Sequence, residues 1–387
     1  MTSLPPLLKA ILPEITTPAY VVDMAALKKN MATAAHIRQE TGCRILLATK
    51  AFALPEVFPL MRDSLDGTTA SGVYEARLGS ETFGREVHVY APAYTKGSLR
   101  ELLTISDHIY FNSSDQLRRF LPEVKDAGKD KLVGIRINPG YSNATLGGHL
   151  YDTCSPQSRF GVLASDLDDL PWDEIDILHA HSLCESLHDG SVGLIEHMAR
   201  EFAPCIRRVK AINFGGGHFI NKAGYDIKAL IRAIRDFRDA FGVEIILEPG
   251  SGLVVDAGYL VARVVDVIHN ETDIAILDAS ASCHMPDVLE VPYTPPLYGA
   301  AEPGENPCTF ILSGNTCMAG DVIGEYSFPK PLEPGDSLVF GDMLQYSFVK
   351  NNTFNGTPLP DIALLHEDGR YEVVRRFGYD DFKGRLC

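Results

Sequence analysis

Residues 209–250 read VKAINFGGGHFINKAGYDIKALIRAIRDFRDAFGVEIILEPG. An apolar run at 209–217 ends in three glycines, a stretch at 227–241 carries apolar residues at three- and four-residue spacing, and a second apolar run closes at 243–250. The change of period predicts strand, helix, strand. The same alternation recurs toward the N-terminus, with candidate strands ILLATK (45–50), LDGTTAS (65–71), EVHVYAP (86–92), DHIYFN (107–112), KLVGIRIN (131–138) and IDILHAH (175–181). Helix-like stretches at 26–40, 114–127 and 187–202 lie between them. Eight strands alternating with helices predict an α/β fold, a parallel (β/α)8 TIM-like barrel.

Toward the C-terminus the pattern changes. LVVDAGYLVARVVDVIHN (253–270) is followed by short β-rich pieces between Pro and Gly, such as CTFILSG (308–314), DSLVFGD (336–342) and RYEVVRRFG (370–378). They predict a C-terminal all-β domain. The expected division is a barrel over 21–255 and a β domain over 256–387, joined by residues 1–20.

The chain has 387 residues, 45% hydrophobic and 22% charged, an ordinary composition for a globular protein of two domains. Lys and Arg number 35 against 51 Asp and Glu, a formal charge of -16, which argues against nucleic acid or an anionic membrane as partner and suits a cationic small substrate. No apolar run approaches the roughly 20 residues of a membrane helix, and Pro5, Pro6, Pro13 and Pro18 break up the start where a leader would lie. Eight scattered cysteines without a CxxC pair suggest neither structural zinc nor a disulfide scaffold, so the cytoplasm is the expected compartment.

In such a barrel the active site forms at the C-terminal ends of the strands, and there the polar residues cluster: Lys50, Ser71, Arg136, Asn138, His179, His181, Gly215, Gly216, Gly217 and Glu248. A lysine at the mouth of an apolar strand is a candidate nucleophile; its bland alternative is a snorkelling surface side chain. Three glycines after the seventh strand expose backbone N–H groups to a phosphate, or merely make a tight turn. His179 and His181 share a strand face and could bind a metal, with Asp66 and Glu248 available as further ligands, or could simply pack. Glu248, before Pro249 and Gly250, could be a general base, a metal ligand or the partner of a heterocyclic nitrogen. Lysine, histidine, glycine loop and glutamate together are what pyridoxal 5'-phosphate needs.

TPAYVVD (17–23), LATKAF (47–52), TASGVYEARLG (69–79), INPG (137–140), SRFGV (158–162), LHAHSLCE (178–185), NFGGG (213–217), EPG (248–250), the Cys317 loop and GDMLQYSF (341–348) occur in the order found in the fold-type III pyridoxal phosphate decarboxylases, which act on ornithine, arginine and diaminopimelate. The chain resembles that family over nearly its whole length. HSLCES, CHMPDVLEVPY (283–293) and GNTCMAGD (314–321) resemble its members that act on carboxylated polyamines. The resemblance implies that Lys50 holds the cofactor and that Cys317 returns a proton to the substrate carbon. It also implies cofactor contacts from Ser71, His181, Gly215, Gly216, Gly217, Glu248, Gly250 and Tyr346. No metal is expected, and a homodimer with shared sites is.

Three positions depart from the commoner family pattern. Ser251 stands where relatives carry Arg after EPG, bulky Leu183, Cys184 and Glu185 follow the stacking histidine, and Met318 replaces the acid after the catalytic cysteine. The amine pocket is therefore expected elsewhere. Asp287 and Asp321 are the first candidates, then Glu185, His284 and Glu325, with Glu248 also near the substrate. Rival readings are a decarboxylase for another basic amino acid or diaminopimelate, an alanine-racemase-type enzyme, a metal-dependent barrel hydrolase, and a pyridoxal phosphate-binding protein without catalysis. Glu248 opposes the racemase, which places Arg at the ring nitrogen.

Overall fold

The computed structural model describes residues 3–128, 131–143, 151–291 and 293–387. The chain divides into two compact units, Asn30–Leu253 and the pair of segments Met1–Lys29 and Val254–Cys387. Strands are numbered in chain order from β1, Ala19–Asp23.

The first unit is a closed barrel of eight parallel strands, β2 (Arg44–Ala48), β3 (Gly67–Ala70), β4 (Glu86–Tyr90), β5 (His108–Phe111), β6 (Leu132–Arg136), β7 (Ile177–His179), β8 (Ala211–Asn213) and β9 (Glu244–Leu247). Each lies inside one of the eight runs read from the sequence, apart from Arg44, one residue before its run. β9 closes on β2 through Ile246 opposite Arg44. The helix Ile227–Phe241 buries Leu230, Ile231, Ile234 and Phe237, starts where the Asp226 carboxylate accepts from the Ala229 N–H, and stops at Gly242 with φ of 68°. These are the spacing, cap and left-handed terminator that an amphipathic helix requires.

The N-terminal face of the barrel is closed by aspartates. Asp66, Asp107 and Asp176 each precede a strand and accept the first free N–H of a neighbour, Ile45 at 2.8 Å, Val87 at 2.7 Å and Val133 at 3.0 Å. Asp66 also pairs with Arg38. It therefore stands on the face opposite to the strand ends where a metal ligand was considered.

In the second unit the sheet order is β13-β12-β11-β10-β1-β15-β16, with β14 also paired to β10. Its strands are β10 (Gly258–Asn270), β11 (Thr272–Leu277), β12 (Cys308–Ser313), β13 (Val322–Phe328), β14 (Ser337–Gly341), β15 (Asp361–Leu365) and β16 (Tyr371–Arg375). β1 runs antiparallel to β10 and parallel to β15, so residues 21–23, read from the sequence as the start of the barrel, are hydrogen-bonded into this sheet. Leu8, Ile11, Ile15, Val21, Tyr259, Val261, Val339 and Leu365 form its core. The unit is the β domain expected from the sequence and also contains the short helices Pro6–Ile11 and Tyr379–Leu386. Among the described residues no helix is long and apolar enough to cross a membrane.

Candidate active site

At the C-terminal ends of the barrel strands a cavity is lined by Lys50, Ser71, His181 and Glu248, four of the residues read from the sequence. Tyr90, Thr69, Arg136 and His179 complete the polar wall. Lys50 sits two residues past β2. Lys50 is an exposed residue, while desolvation by the surrounding protein, and secondarily the Arg136 cation, lower its pKa below the ordinary lysine value.

Glu248 follows β9 and is 4% exposed. Its Oε1 accepts from Asn213 Nδ2 at 2.8 Å, and its Oε2 lies 3.6 Å from His179 Nε2. Burial raises its pKa, opposed by the Asn213 and Thr69 hydrogen bonds and by Lys50 and Arg136. His179 and His181 are pushed well below the ordinary histidine value, by burial first and then by the two cations, so both rings are neutral.

The glycine loop is built by close approach. Gly215 and Gly217 have φ of 66° and 87°. A Cβ at Gly215 would come within 2.5 Å of His181 Cβ, at Gly216 within 2.7 Å of the Glu248 carbonyl oxygen, and at Gly217 within 2.2 Å of the Leu183 carbonyl oxygen. Gly216 donates its N–H to His181 Nδ1 at 2.9 Å, which assigns the ring proton to Nε2. A Cβ at Gly250 would meet Ala51 Cβ at 2.5 Å, so this glycine lets the β9 loop lie against the turn that carries Lys50.

Arg136, the last residue of β6, is 4% exposed. Its guanidinium carbon stands 4.7 Å from the Tyr90 ring centroid and 4.5 Å from that of Phe160, and one amino group donates to the His181 carbonyl at 2.7 Å. The sequence put Arg136 at a strand end but offered no role, Tyr90 carried no signal beyond position, and Thr69 and Asn213 stood in the family-like motifs without a role of their own. Register brings them together: Arg136 pairs with His179 and His179 with Asn213 across neighbouring strands. Glu185, with φ of 43°, is exposed beside Cys184, whose thiol burial pushes up to about 11.

The remaining candidates lie in the sheet unit. Cys317 is exposed on the loop between β12 and β13, its N–H donated to Asn355 Oδ1 at 2.8 Å. Asp287 is half-buried and accepts from Tyr293 at 2.7 Å and Ser347 at 2.8 Å. Tyr346 is half-buried with φ of 48°, and Glu325 is exposed on β13. Asp321 and His284 differ from expectation. Asp321 is 2% exposed, and its carboxylate accepts from the hydroxyls of Ser280 and Thr316 and from the Ser282 N–H. His284 is 0% exposed between the Ser280 N–H and the Pro358 carbonyl. Both are interior groups of this unit, where the sequence reading had them facing an amine.

The metal reading does find convergent donors, since His179, His181 and Glu248 offer atoms within 4.8 Å of one another. They stand beside Lys50 and Arg136, two cations that disfavour a divalent ion, and His181 Nδ1 already accepts the Gly216 N–H. Pyridoxal phosphate fits the same wall better. An amine of lowered pKa, a buried carboxylate, a neutral imidazole and a loop with no room for side chains are the donors its aldehyde, ring nitrogen, ring face and phosphate require. Among the described residues neither ring nitrogen of His179, buried in the wall, has a hydrogen-bond partner.

Comparison with known proteins agrees. The chain is 39% identical over 383 residues to a carboxynorspermidine/carboxyspermidine decarboxylase of Campylobacter jejuni, covering 96% of this chain and 99% of that one. It is 39% identical over 381 residues to a carboxyaminopropylagmatine decarboxylase of Synechocystis, covering 97% and 96%. The crystal structure of carboxynorspermidine decarboxylase from Campylobacter jejuni, complexed with norspermidine, superposes with a TM-score of 0.88 at 37% identity, over 96% of this chain and 100% of that one. The family model described as pyridoxal-dependent decarboxylase, C-terminal sheet domain, matches residues 19–343. The chain is thus a pyridoxal phosphate-dependent decarboxylase by descent, and belongs to the pyridoxal-dependent decarboxylase family together with the carboxynorspermidine/carboxyspermidine decarboxylases.

Proposed function

We propose that this enzyme releases carbon dioxide from carboxynorspermidine, carboxyspermidine or both, yielding norspermidine or spermidine in polyamine biosynthesis. The observation that carries the reading is the near-full-length similarity to the Campylobacter jejuni enzyme, whose structure holds norspermidine. The formal charge of -16 and the absence of an acid directly after Cys317 support a long, multiply cationic substrate. When bound, the cofactor supplies the electron sink for the pair left as carbon dioxide departs.

Lys50 supplies the amine that holds the cofactor covalently. Glu248 holds a proton at the ring nitrogen, a role supported by its burial and its Asn213 hydrogen bond. The neutral His181 stacks on the ring, and the loop of Gly215, Gly216 and Gly217 takes the phosphate, helped by Ser71, Gly250 and Tyr346. Cys317 delivers the proton to the substrate carbon. Asp287, Glu185 and Glu325 are the carboxylates assigned to the distal amines, and Asp321 and His284 are reassigned as supports of the loops that carry Cys317 and Asp287.

The family resemblance further supports a homodimer in which both copies contribute to each site. The eight cysteines, all free, support a reducing cytoplasm. A second substrate has its own support, because the Synechocystis relative matches equally well. Its named substrate differs at the distal end, a guanidine in place of an amine.

The deciding experiment is carbon dioxide release from carboxynorspermidine, carboxyspermidine, carboxyaminopropylagmatine, diaminopimelate, ornithine and lysine. The carboxylated triamines should lead. Equal turnover of diaminopimelate, ornithine or lysine would overturn the substrate assignment, and a clear lead for the guanidine compound would move it to the second reading.

A further inference from the structure

The interior of a barrel of this kind is ordinarily filled by branched apolar side chains. Here a column of polar groups crosses it from face to face. At the N-terminal face Arg44, the first residue of β2, pairs with Glu86 at 3.3 Å and Glu244 at 3.0 Å, the first residues of β4 and β9. Glu86 Oε2 lies 3.2 Å from His88 Nε2, His88 Nδ1 lies 3.3 Å from the Tyr110 hydroxyl, and that hydroxyl accepts from Asn213 Nδ2 at 3.0 Å. Asn213 Nδ2 also donates to Glu248 Oε1, and Asn213 Oδ1 accepts the Gly215 N–H at 2.8 Å. His88, Tyr110 and Asn213 are all 0% exposed.

One direction satisfies all of these hydrogen bonds together. Tyr110 accepts from Asn213, so its own proton goes to His88 Nδ1, and His88 must then carry its proton on Nε2 and donate to Glu86. Both hydrogens of the Asn213 amide are thereby committed, to Tyr110 and Glu248, and its carbonyl is left to Gly215. A reversed amide would set oxygen against the Glu248 carboxylate and abandon the glycine loop. A metal at the lower end is the competing explanation, since Glu86, His88 and His108 offer donors within 4.8 Å of one another. The rings of His88 and His108 stack at 3.8 Å and 24°, which aims their lone pairs side by side instead of at one point, and Arg44 already neutralises Glu86.

We propose that Tyr110 and His88 are positioning residues. Anchored on Glu86, they orient the Asn213 amide, and that amide holds in register the Glu248 carboxylate, the group assigned to the cofactor's ring nitrogen. The proposal rests on the role given above to Glu248. Around Glu248 the other titratable and charged groups are His179 at 3.6 Å, His88 at 4.0 Å, Lys50 and Arg136, and none of these supplies the Asn213 contact.

The test uses the holoenzyme. Tyr110→Phe should lower kcat roughly tenfold with KM changed less than about twofold, and should alter the pH profile of the bound cofactor's visible absorbance. In a Glu248→Gln background the same substitution should change kcat less than about twofold, because the carboxylate it positions is gone. Asn213→Asp, close in size, keeps the question open to experiment if Tyr110→Phe fails to fold. Two carboxylates in contact cannot both ionise, so its absorbance should show an added titration step within about pH 6–9. An unaltered kcat and absorbance profile in Tyr110→Phe, or an equal loss in both backgrounds, overturns the positioning role while leaving Glu248 in place. An inactive column together with a fully active Glu248→Gln overturns the Glu248 reading itself.

Discussion

The backbone N–H of Gly216 points at Nδ1 of His181 from 2.9 Å. This one bond ties the ring assigned to the cofactor's face to the loop assigned to its phosphate, and it holds the imidazole in its Nε2–H form. Adding a methyl group at Gly216 would press on the Glu248 carbonyl oxygen at 2.7 Å. Gly216→Ala is therefore expected to weaken cofactor binding about tenfold or more, as overpacking of a close-packed site costs about 1–3 kcal/mol. Titration of the apo protein with pyridoxal phosphate, followed by absorbance, measures it. Parent-like affinity would mean that the loop can shift freely.

Lys50→Ala is expected to remove the visible absorbance of covalently held cofactor and nearly all turnover. A second expectation follows from the sign of its pKa change. The folded value lies below the ordinary 10.5, so the stability this group contributes is present above that value and is lost as pH falls through the folded pKa. At neutral pH the ammonium form opposes folding, and apo Lys50→Ala should melt at or above the parent temperature. Calorimetry of the two apo proteins tests this; a lower melting temperature would show that packing of the lysine stem outweighs its charge.

Buried histidines set the acid limit of the barrel. His88 is held down to about 3 and His218 to about 4, and His179 and His181 are far below 6.5, in each case chiefly by burial. The unfolded chain takes up these protons near 6.5 and the folded chain only far below, so stability is full above that value and declines as pH falls toward about 3. Melting temperature should drop steadily below about pH 6, and His218→Gln, at a position outside the cavity lining, should flatten the slope. A melting temperature constant from pH 7 to 4.5 would contradict the burial argument.

Two aspartates of the sheet unit should respond differently. Asp287 has spare lone pairs beside the Tyr293 and Ser347 hydroxyls, so Asp287→Asn should raise KM for the carboxylated triamine about tenfold and leave stability near the parent value. Asp321 accepts from Ser280, Ser282 and Thr316, and an amide there would face donors with a donor. Asp321→Asn should therefore cost about 1–3 kcal/mol of stability. Steady-state kinetics and thermal melts on both variants separate the cases. A KM effect without destabilisation in Asp321→Asn would return that carboxylate to the amine pocket.

Much of this protein was legible without coordinates. Eight apolar runs alternating with amphipathic stretches reflect local periodicity, which a strand or helix imposes on its own residues, and the strand-end positions of Lys50, His181, Glu248 and the three glycines follow from that alternation. What tertiary structure alone decided is pairing between distant segments. β1 lies between β10 and β15, more than 200 residues away along the chain, and no local pattern marks YVVD as a member of that sheet. Arg136, His179 and Asn213 become neighbours only because three strands share a register. The inward turn of Asp321 and the polar column from Glu86 to Glu248 depend in the same way on which side of the backbone each side chain faces once the sheet or barrel has closed. Sequence encodes local period and residue type; the direction of a polar side chain is set by the partners that closure brings within hydrogen-bond reach.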